Sequence, residues 1–493
     1  MNSIPFPDIN LPVEPAASPK RLFVQTYGCQ MNVHDSERMI GLMEADGYEA
    51  AESAENADVV VINTCAVREK PERKLLAELG HLKKLKKLNP KMVIGVTGCM
   101  APRDGDVIRA KAPYVDLLIG PRSIAKLPDL VRKIELQRMS QPLGSNGRGV
   151  DGMDNLDAVD LFDDPTPVTP VKRASTLSAW VDVMFGCSFA CAFCAVPSAR
   201  GAEVSRPPEQ ILSEIEELDS LGYKEITLLG QTVNAYGRDQ HYRIPLINRL
   251  AGRDARATEV LEIDDRERTD FAWLLKAVDR IAPNLRVRFT SPHPQLFNDR
   301  LIETIATTPS VCEHIHFPIQ SGDDEVLRRM RRAYNFSQYR RIAEKLREAI
   351  PDVAITTDVI VGFPGETDEQ FRATIRAFEE IQFDQAFMFI YSPRRHTEAF
   401  EFSNLIPKEV ATARLMELVE LANDMFRKKN EALVGREWEV LVEGVSEKNA
   451  RKLSGRTRTN KVMVFEGSRD LIGRTVNVRA DKGFLWGFEG TLA

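Results

Sequence analysis

Phe185-Gly186-Cys187-Ser188-Phe189-Ala190-Cys191-Ala192-Phe193-Cys194 puts three thiols within eight residues, spaced CxxxCxxC, with an aromatic residue just before the last cysteine. Thiols packed this closely on one loop call for an occupant. Iron–sulfur cubanes normally take four cysteines, so three would leave one iron open to a small ligand. Zinc, the competing occupant, closes a structural site with four ligands, and the nearest histidines, His81 and His241, are far away in sequence. Spacing and context together favour a [4Fe-4S] cluster over zinc or a chance trio.

Upstream, three β-rich apolar runs each end in a cysteine: Leu22-Phe23-Val24-Gln25-Thr26-Tyr27-Gly28-Cys29, Asp58-Val59-Val60-Val61-Ile62-Asn63-Thr64-Cys65 and Met92-Val93-Ile94-Gly95-Val96-Thr97-Gly98-Cys99. Helical spacing separates them: Met39, Ile40, Leu42 and Met43 follow a possible cap at Asp35 or Ser36, and Leu75, Leu79 and Leu82 mark a second helix. The cysteines are thirty-six and thirty-four residues apart, close to the ~30 or more residues of one βαβ unit. Parallel strands then gather all three thiols at the carboxyl edge of one open sheet, where such sheets bind ligands. One buried cysteine would be unremarkable. Three in register favour a second ligand set over inert core thiols.

The CxxxCx(aromatic)C loop resembles the signature of the radical S-adenosylmethionine (SAM) enzymes. The amino-terminal trio, with Tyr27-Gly28-Cys29-Gln30-Met31-Asn32 and Asn63-Thr64-Cys65-Ala66-Val67-Arg68, resembles their methylthiotransferase branch over nearly the whole chain. The resemblance implies that Cys187, Cys191 and Cys194 hold a [4Fe-4S] cluster whose open iron binds SAM. It also implies that Cys29, Cys65 and Cys99 hold an auxiliary [4Fe-4S] cluster, making two. Phe193 would lie beside the adenine of SAM or serve as a core aromatic. Further SAM contacts are implied in Leu228-Leu229-Gly230-Gln231-Thr232-Val233-Asn234, at Gln320 and Ser321, and at Asp358 and Ile360, although Asp358 stands where many radical SAM enzymes have glycine. These glycines and amides would serve equally as turn residues.

At 493 residues the chain predicts about three domains. The expected fold class is α/β: a leader at 1–20, an open parallel α/β domain at 21–136, an acidic tether at 137–176, a partial (β/α)6 radical SAM barrel at 177–432 and a small β-barrel at 433–493. Barrel strands are expected at 179–184, 225–229, 286–290, 314–318, 354–361 and 385–391, with helices at 208–221, 269–281 and 369–381. The polar stretch 238–268 reads as a loop insertion. After a long helix at 407–431, short strands are expected at 438–442, 462–465, 475–478 and 484–487. This last segment resembles the TRAM domain, an RNA-binding module.

The formal net charge of −6 gives no overall attraction to polyanions, so an RNA surface has to be local. Residues 433–493 carry eleven Lys or Arg against eight Asp or Glu, and Lys448, Arg451, Lys452, Arg456, Arg458 and Lys461 fall in a stretch without an acid. That stretch is expected to be a loop holding an RNA backbone, the alternative being a solvated face. Arg328, Arg329, Arg331 and Arg332 form a second cationic cluster with the same two readings. Arg200 and Arg206 follow the cysteine loop and could bind the SAM carboxylate, an RNA phosphate or nearby Glu203. His293, His314 and His316 read as core or surface residues, and Cys312 as a packed thiol.

Six of seven cysteines in two ordered trios indicate metal ligation in a reducing compartment rather than disulfides. With no apolar h-region and no bilayer-length run, a cytoplasmic protein is expected, and it is expected to be a monomer. The implied activity is methylthiolation of carbon 2 of N(6)-isopentenyladenosine beside the anticodon. Its expected partners are a tRNA anticodon stem-loop and a flavodoxin-like or ferredoxin-like electron donor, with the sulfur donor open. The alternatives are a methylthiotransferase for threonylcarbamoyladenosine or for a ribosomal-protein aspartate, and a metal-stabilised RNA-binding protein without catalysis.

Overall fold

The computed structural model describes residues 19–66, 69–139, 169–239 and 269–493. The leader through residue 18, most of the acidic tether (140–168) and most of the expected insertion (240–268) lie outside the described residues.

The amino-terminal unit runs β1 (Arg21–Tyr27), α1 (Gln30–Ala45), β2 (Glu49–Ala50), β3 (Val59–Thr64), α2 (Glu69–Leu88), β4 (Val93–Gly98), α3 (Met100–Lys111), β5 (Leu117–Ile119) and α4 (Leu127–Met139). Its five strands are all parallel, in the order β2-β1-β3-β4-β5. β3 and β4 are buried at every residue, as expected of parallel strands covered on both faces. Val60, Ile62, Ile94 and Val96 pack towards Leu75, Leu79 and Leu82 of α2. The alternate residues Val59, Val61 and Val93 pack towards Met39 and Met43 of α1, the period of two that a pleated strand imposes. β5 and α4 extend the unit beyond the strand–helix–strand–helix–strand pattern read from the sequence.

The tether's described end, from Thr169, is seated rather than loose. Lys172 N–H donates to the Glu37 carbonyl at 2.9 Å, and Ala174 N–H to the Glu37 carboxylate at 2.9 Å. Gly41 makes the fit possible, because a Cβ there would lie 2.5 Å from the Pro170 carbonyl oxygen.

Next come β6 (Ser178–Asp182), β7 (Met184–Phe185), α5 (Val196–Arg200), β8 (Val204–Ser205), α6 (Pro208–Ser220), β9 (Glu225–Leu229), α7 (Phe271–Ile281) and β10 (Arg286–Phe289). They are followed by α8 (Asp299–Thr307), β11 (His314–His316), α9 (Asp324–Arg329), α10 (Phe336–Ala349), β12 (Ala354–Val361), α11 (Asp368–Ile381), β13 (Gln385–Ile390) and α12 (Lys408–Ala432). The parallel sheets β10-β9-β6 and β11-β12-β13 meet through the bridge between Val287 and Val311. The strands therefore follow chain order as an open six-stranded barrel. Among the described residues β6 and β13 do not pair. Ile226, Val287, Ile315, Ile355, Val359 and Ala386 join the core under the helices, leaving Thr227, Arg288, His316, Asp358 and Phe387 for the inner face.

The last unit is a closed five-stranded barrel of β14 (Glu437–Ser446), β15 (Asn449–Thr457), β16 (Val462–Glu466), β17 (Thr475–Phe484) and β18 (Gly487–Leu492), ordered β14-β15-β16-β18-β17. Two expectations are corrected here. The acid-free basic stretch is largely strand β15, and 484–487 is no strand of its own but the end of β17, a two-residue turn at Leu485 and Trp486, and the start of β18. The unit docks on the amino ends of the large barrel's strands: Arg286 donates to Glu439 at 2.7 Å, and Arg288 to the Thr457 and Arg458 carbonyls at 2.9 Å. Among the described residues no helix is long and apolar enough to cross a membrane.

Candidate functional site

Chain direction alone carries Cys29, Cys65 and Cys99 together. β1, β3 and β4 are neighbours that end level, Tyr27 pairing with Thr64 and Thr64 with Gly98, and Cys65 N–H donates to the Tyr27 carbonyl at 2.8 Å. Cys29 caps α1 and Cys99 caps α3, so two helix amino termini bring partial positive charge to the thiols. Gly98, at φ +84°, shapes the turn, since a Cβ would lie 2.3 Å from the Thr64 carbonyl oxygen. A hydrogen bond from Cys65, helped by the Arg200 charge, holds the Cys29 thiol down at about 6, whereas burial pushes Cys99 up.

The second trio sits on the loop after β6 and β7. Gly186 starts it at φ +75°, in a space where a Cβ would meet the Ala202 carbonyl oxygen at 2.0 Å. Cys187 Sγ lies 3.1 Å from Thr232 Oγ1. Arg332 Nη1 donates to Cys191 Sγ at 3.3 Å. Burial, followed by the neighbouring Cys191, pushes the Cys194 thiol up to about 12, so a metal loading this site displaces a proton.

A short strap leads from one trio to the other. α5 begins two residues after Cys194 and delivers Arg200 into the amino-terminal unit. There Arg200 Nε donates to Cys99 Sγ at 3.3 Å and Nη2 to Asp35 Oδ2 at 2.6 Å. Ala199, one residue earlier, belongs to the amino-terminal core itself. The domains also meet on both flanks of the barrel mouth: His34 and Arg38 lie 3.4 and 3.7 Å from Asp182 at the end of β6, and Arg394 lies 3.5 Å from Glu72 of α2. Each thiol trio thus receives one guanidinium, a donor set suited to stabilising thiolate sulfur.

The expected SAM contacts divide by role. Gly230 fits only because a Cβ would press to 2.7 Å on Met184. Gln231 accepts from Gly186 N–H, while its buried Nε2 has no hydrogen-bond partner, an unspent donor beside the cysteine loop. Asn234 is occupied in a two-way pairing with the His293 backbone, at 2.7 and 3.0 Å, so it is a scaffold residue here. Gln320 adopts φ +66° and bridges to β12, and Ser321 is held inside by Thr374. Asp358 receives His316 Nε2 at 3.1 Å on the inner wall, next to Ile360 in strand order. Phe193 packs with Ile360, Tyr391 and Phe402 around Phe363. His293 is buried and stacked on Phe189, and Cys312 is buried.

Most of the arginines and lysines expected on RNA are committed internally. Arg200 is on Cys99 and Asp35, and Arg206 on Glu214 at 2.8 Å and the Asp182 carbonyl at 2.6 Å. Arg329 holds the Pro364 carbonyl, and Arg332 is on Cys191 and Tyr334. Arg458 is clamped on Glu313 at 2.7–3.0 Å, and Lys461 bridges Asn430 at 2.8 Å and Asp384 at 3.2 Å. Lys452 pairs with Glu489, and Arg456 with Glu443 at 3.2 Å. The stretch lacks acids of its own because its acids lie across the domain boundary or on neighbouring strands. Lys448 and Arg451 stay exposed; Arg328 and Arg331 are exposed but paired with Glu325 and Glu398.

Asp35, Asp182 and the thiol-facing roles of Thr232, Arg200 and Arg332 were not legible as site features. Their partners lie up to 165 residues away, and nothing local marks them. Among the described residues no three His, Cys, Asp or Glu side chains close tightly enough to enclose a single ion. Arg200→Gln is expected to cost about 3–5 kcal/mol, because it strands the Asp35 carboxylate in the interior, a loss readable as a lower midpoint in chemical denaturation.

Residues 21–120 match the model of the uncharacterized protein family UPF0004, residues 181–378 the Radical SAM superfamily and residues 431–485 the TRAM domain. The radical S-adenosylmethionine methyltransferase TsrM from Kitasatospora setae, with tryptophan substrate and a SAM analogue bound, shares the fold at TM-score 0.51 and 13% identity, over 77% of this chain and 75% of that one. The tRNA-2-methylthio-N(6)-dimethylallyladenosine synthase of Symbiobacterium thermophilum is 42% identical over 96% of this chain and 94% of its own. The Bacillus subtilis protein of the same name is 40% identical over 96% and 86%. With cysteine trios on two units in contact and this degree of likeness along almost its entire length, the chain belongs to the family of tRNA-2-methylthio-N(6)-dimethylallyladenosine synthases.

Proposed function

We propose that this chain is the radical SAM transferase that places a methylthio group on carbon 2 of N(6)-dimethylallyladenosine next to the anticodon of tRNA, with two [4Fe-4S] clusters and SAM. The observation that carries the reading is the pairing of two thiol-only trios from separate units, linked by α5 and each touched by one guanidinium. That carbon–hydrogen bond is neither acidic nor readily displaced, so the chemistry belongs to cofactors. When bound, the clusters and SAM supply a 5′-deoxyadenosyl radical and a carrier for the incoming sulfur and methyl group.

The protein's part is to hold and orient. Cys187, Cys191 and Cys194 would hold the cluster that binds SAM, and the unpartnered Gln231 Nε2 beside them fits a hydrogen-bond acceptor of that ligand. Cys29, Cys65 and Cys99 would hold the auxiliary cluster, with Arg200 fixing the Cys99 sulfur. The flank contacts of Asp182 and Glu72 keep the two units together at the barrel mouth, where barrels of this kind carry their chemistry. A target base reaches that mouth only after leaving its stack, and among the described residues the edge between β6 and β13 is unpaired.

The threonylcarbamoyl substrate is disfavoured by Asp358 on the inner wall, whose charge would oppose a carboxylate. The decisive measurement is mass spectrometry of tRNA nucleosides from a deletion strain. The expected result is loss of the 2-methylthio derivative with accumulation of dimethylallyladenosine. An unchanged profile would reject the reading. Anaerobically purified protein should also carry about eight irons, four per cubane.

A further inference from the structure

Five aromatic side chains are exposed among the described residues: Phe387, Phe389, Phe400, Phe484 and Trp486. They stand on elements that contact one another in series, Tyr391 just past β13 donating its hydroxyl to the Ala399 carbonyl at 2.8 Å. Phe400 follows Ala399, whose N–H donates at 2.8 Å to the Ala192 carbonyl inside the cysteine loop. Phe389 and Phe387 stand on the inner face of β13, beside Ile360 and Asp358 in register, with Ala386 on the opposite, core-facing side. Gln385, which begins β13, lines a solvent-open pocket shared with Thr356, Lys461 and Trp486. Phe484 ends β17 of the small barrel and Trp486 stands in the turn that leads to β18.

A single exposed ring is ordinary on a protein surface; what sets these apart is their succession along elements that touch one another. Here they run from the cysteine loop, along the barrel edge that has no partner strand among the described residues, to the carboxyl-terminal unit. They are interleaved with polar and cationic groups instead of forming one greasy patch. Lys482 Nζ stands 5.1 Å from the Phe484 ring centroid, and His316 meets Phe387 edge-on at 6.1 Å. Single rings separated by polar groups, with cations alongside, are how proteins hold unpaired nucleotides: the rings stack bases and the cations meet phosphates. A protein partner would instead favour a contiguous apolar face with a polar rim.

We propose that this succession of rings is the track of the single-stranded anticodon loop. Loop bases stack on Trp486 and Phe484 with Lys482 at the backbone, and the target adenosine enters the barrel against Phe387 and Phe389, its apolar N(6) group on the rings. The inference rests on the tRNA reading above and moves the main RNA contact from the basic stretch of β15 to the turn beside it.

The test uses full-length, cluster-loaded protein and a fluorescent synthetic anticodon stem-loop carrying dimethylallyladenosine, followed by anisotropy. Trp486→Ala and Phe484→Ala are each expected to weaken binding on the order of tenfold, the usual weight of one stacked base. Trp486→Phe is expected to bind nearly normally, with iron content and melting temperature unchanged in all three. Closing the loop into a continuous duplex should weaken binding by a similar factor. If Trp486→Ala and Phe484→Ala bind as the parent while Lys448→Ala or Arg451→Ala loses affinity, the track is wrong and the tRNA reading stands. If the parent protein does not bind the stem-loop, the tRNA reading itself fails. If Phe387→Ala and Phe389→Ala leave kcat/KM for the RNA unaltered, the inner half of the track is overturned.

Discussion

Replacing Cys191 by alanine is expected to abolish reductive cleavage of SAM, measured as 5′-deoxyadenosine released after anaerobic reduction. Cys191 is the middle thiol of its loop and the one that accepts the Arg332 hydrogen bond at 3.3 Å. Its removal deletes a ligand and leaves a guanidinium, itself largely enclosed with Tyr334, facing an apolar methyl group. Changes that only touch the surroundings of a metal ligand typically cost about 10–100-fold. Loss of the ligand itself should exceed that and leave cleavage at the level of the unreduced protein. Cleavage that survives in this variant would mean that the loop does not hold the centre at which SAM is split.

Cys65→Ala is expected to give the opposite pattern. Cys65 is 2% exposed at the end of β3, held by its backbone to Tyr27 and hydrogen-bonded to Cys29 through its thiol. Alanine removes one auxiliary ligand and releases Cys29 from the interaction that lowers its thiol. Cys65 directly follows a strand of the amino-terminal unit, whereas Cys187, Cys191 and Cys194 lie on a loop of the large barrel, so the variant should retain most 5′-deoxyadenosine formation and lose methylthioadenosine formation beyond the same 10–100-fold mark. It should also lose about four irons per chain. Equal loss of both readouts in both variants would contradict the separation of roles.

Much of this architecture was legible because it is local. The register of Cys29, Cys65 and Cys99 follows from strand direction and from nearly equal spacing, and 225–229 and 354–361 fold as the strands their β-branched runs predict. Charge was less legible, because a cation's partner can lie anywhere in the chain. Arg458 finds Glu313, 145 residues away, and Arg200 finds Asp35, 165 residues away. Composition therefore marks Lys448 to Lys461 as a free basic loop, whereas folding uses most of it to satisfy acids and carbonyls at a domain boundary. The exposed rings of β13 were equally hidden, since Gln385 to Ile390 reads as an ordinary half-apolar strand until it is seen that, among the described residues, no strand pairs with its far edge.

The contact between the small barrel and the large one has a consequence for anyone trimming the protein. Arg286 and Arg288 are 5% and 7% exposed, and much of their hydrogen bonding is to Glu439 and to the Thr457 and Arg458 carbonyls. A truncation after the long helix would therefore do more than shed an RNA-binding appendage. It would open the underside of the catalytic domain to water and leave two cations there short of acceptors. The carboxyl-terminal piece is a keystone, and separately expressed halves should be recovered in better yield together than either is alone.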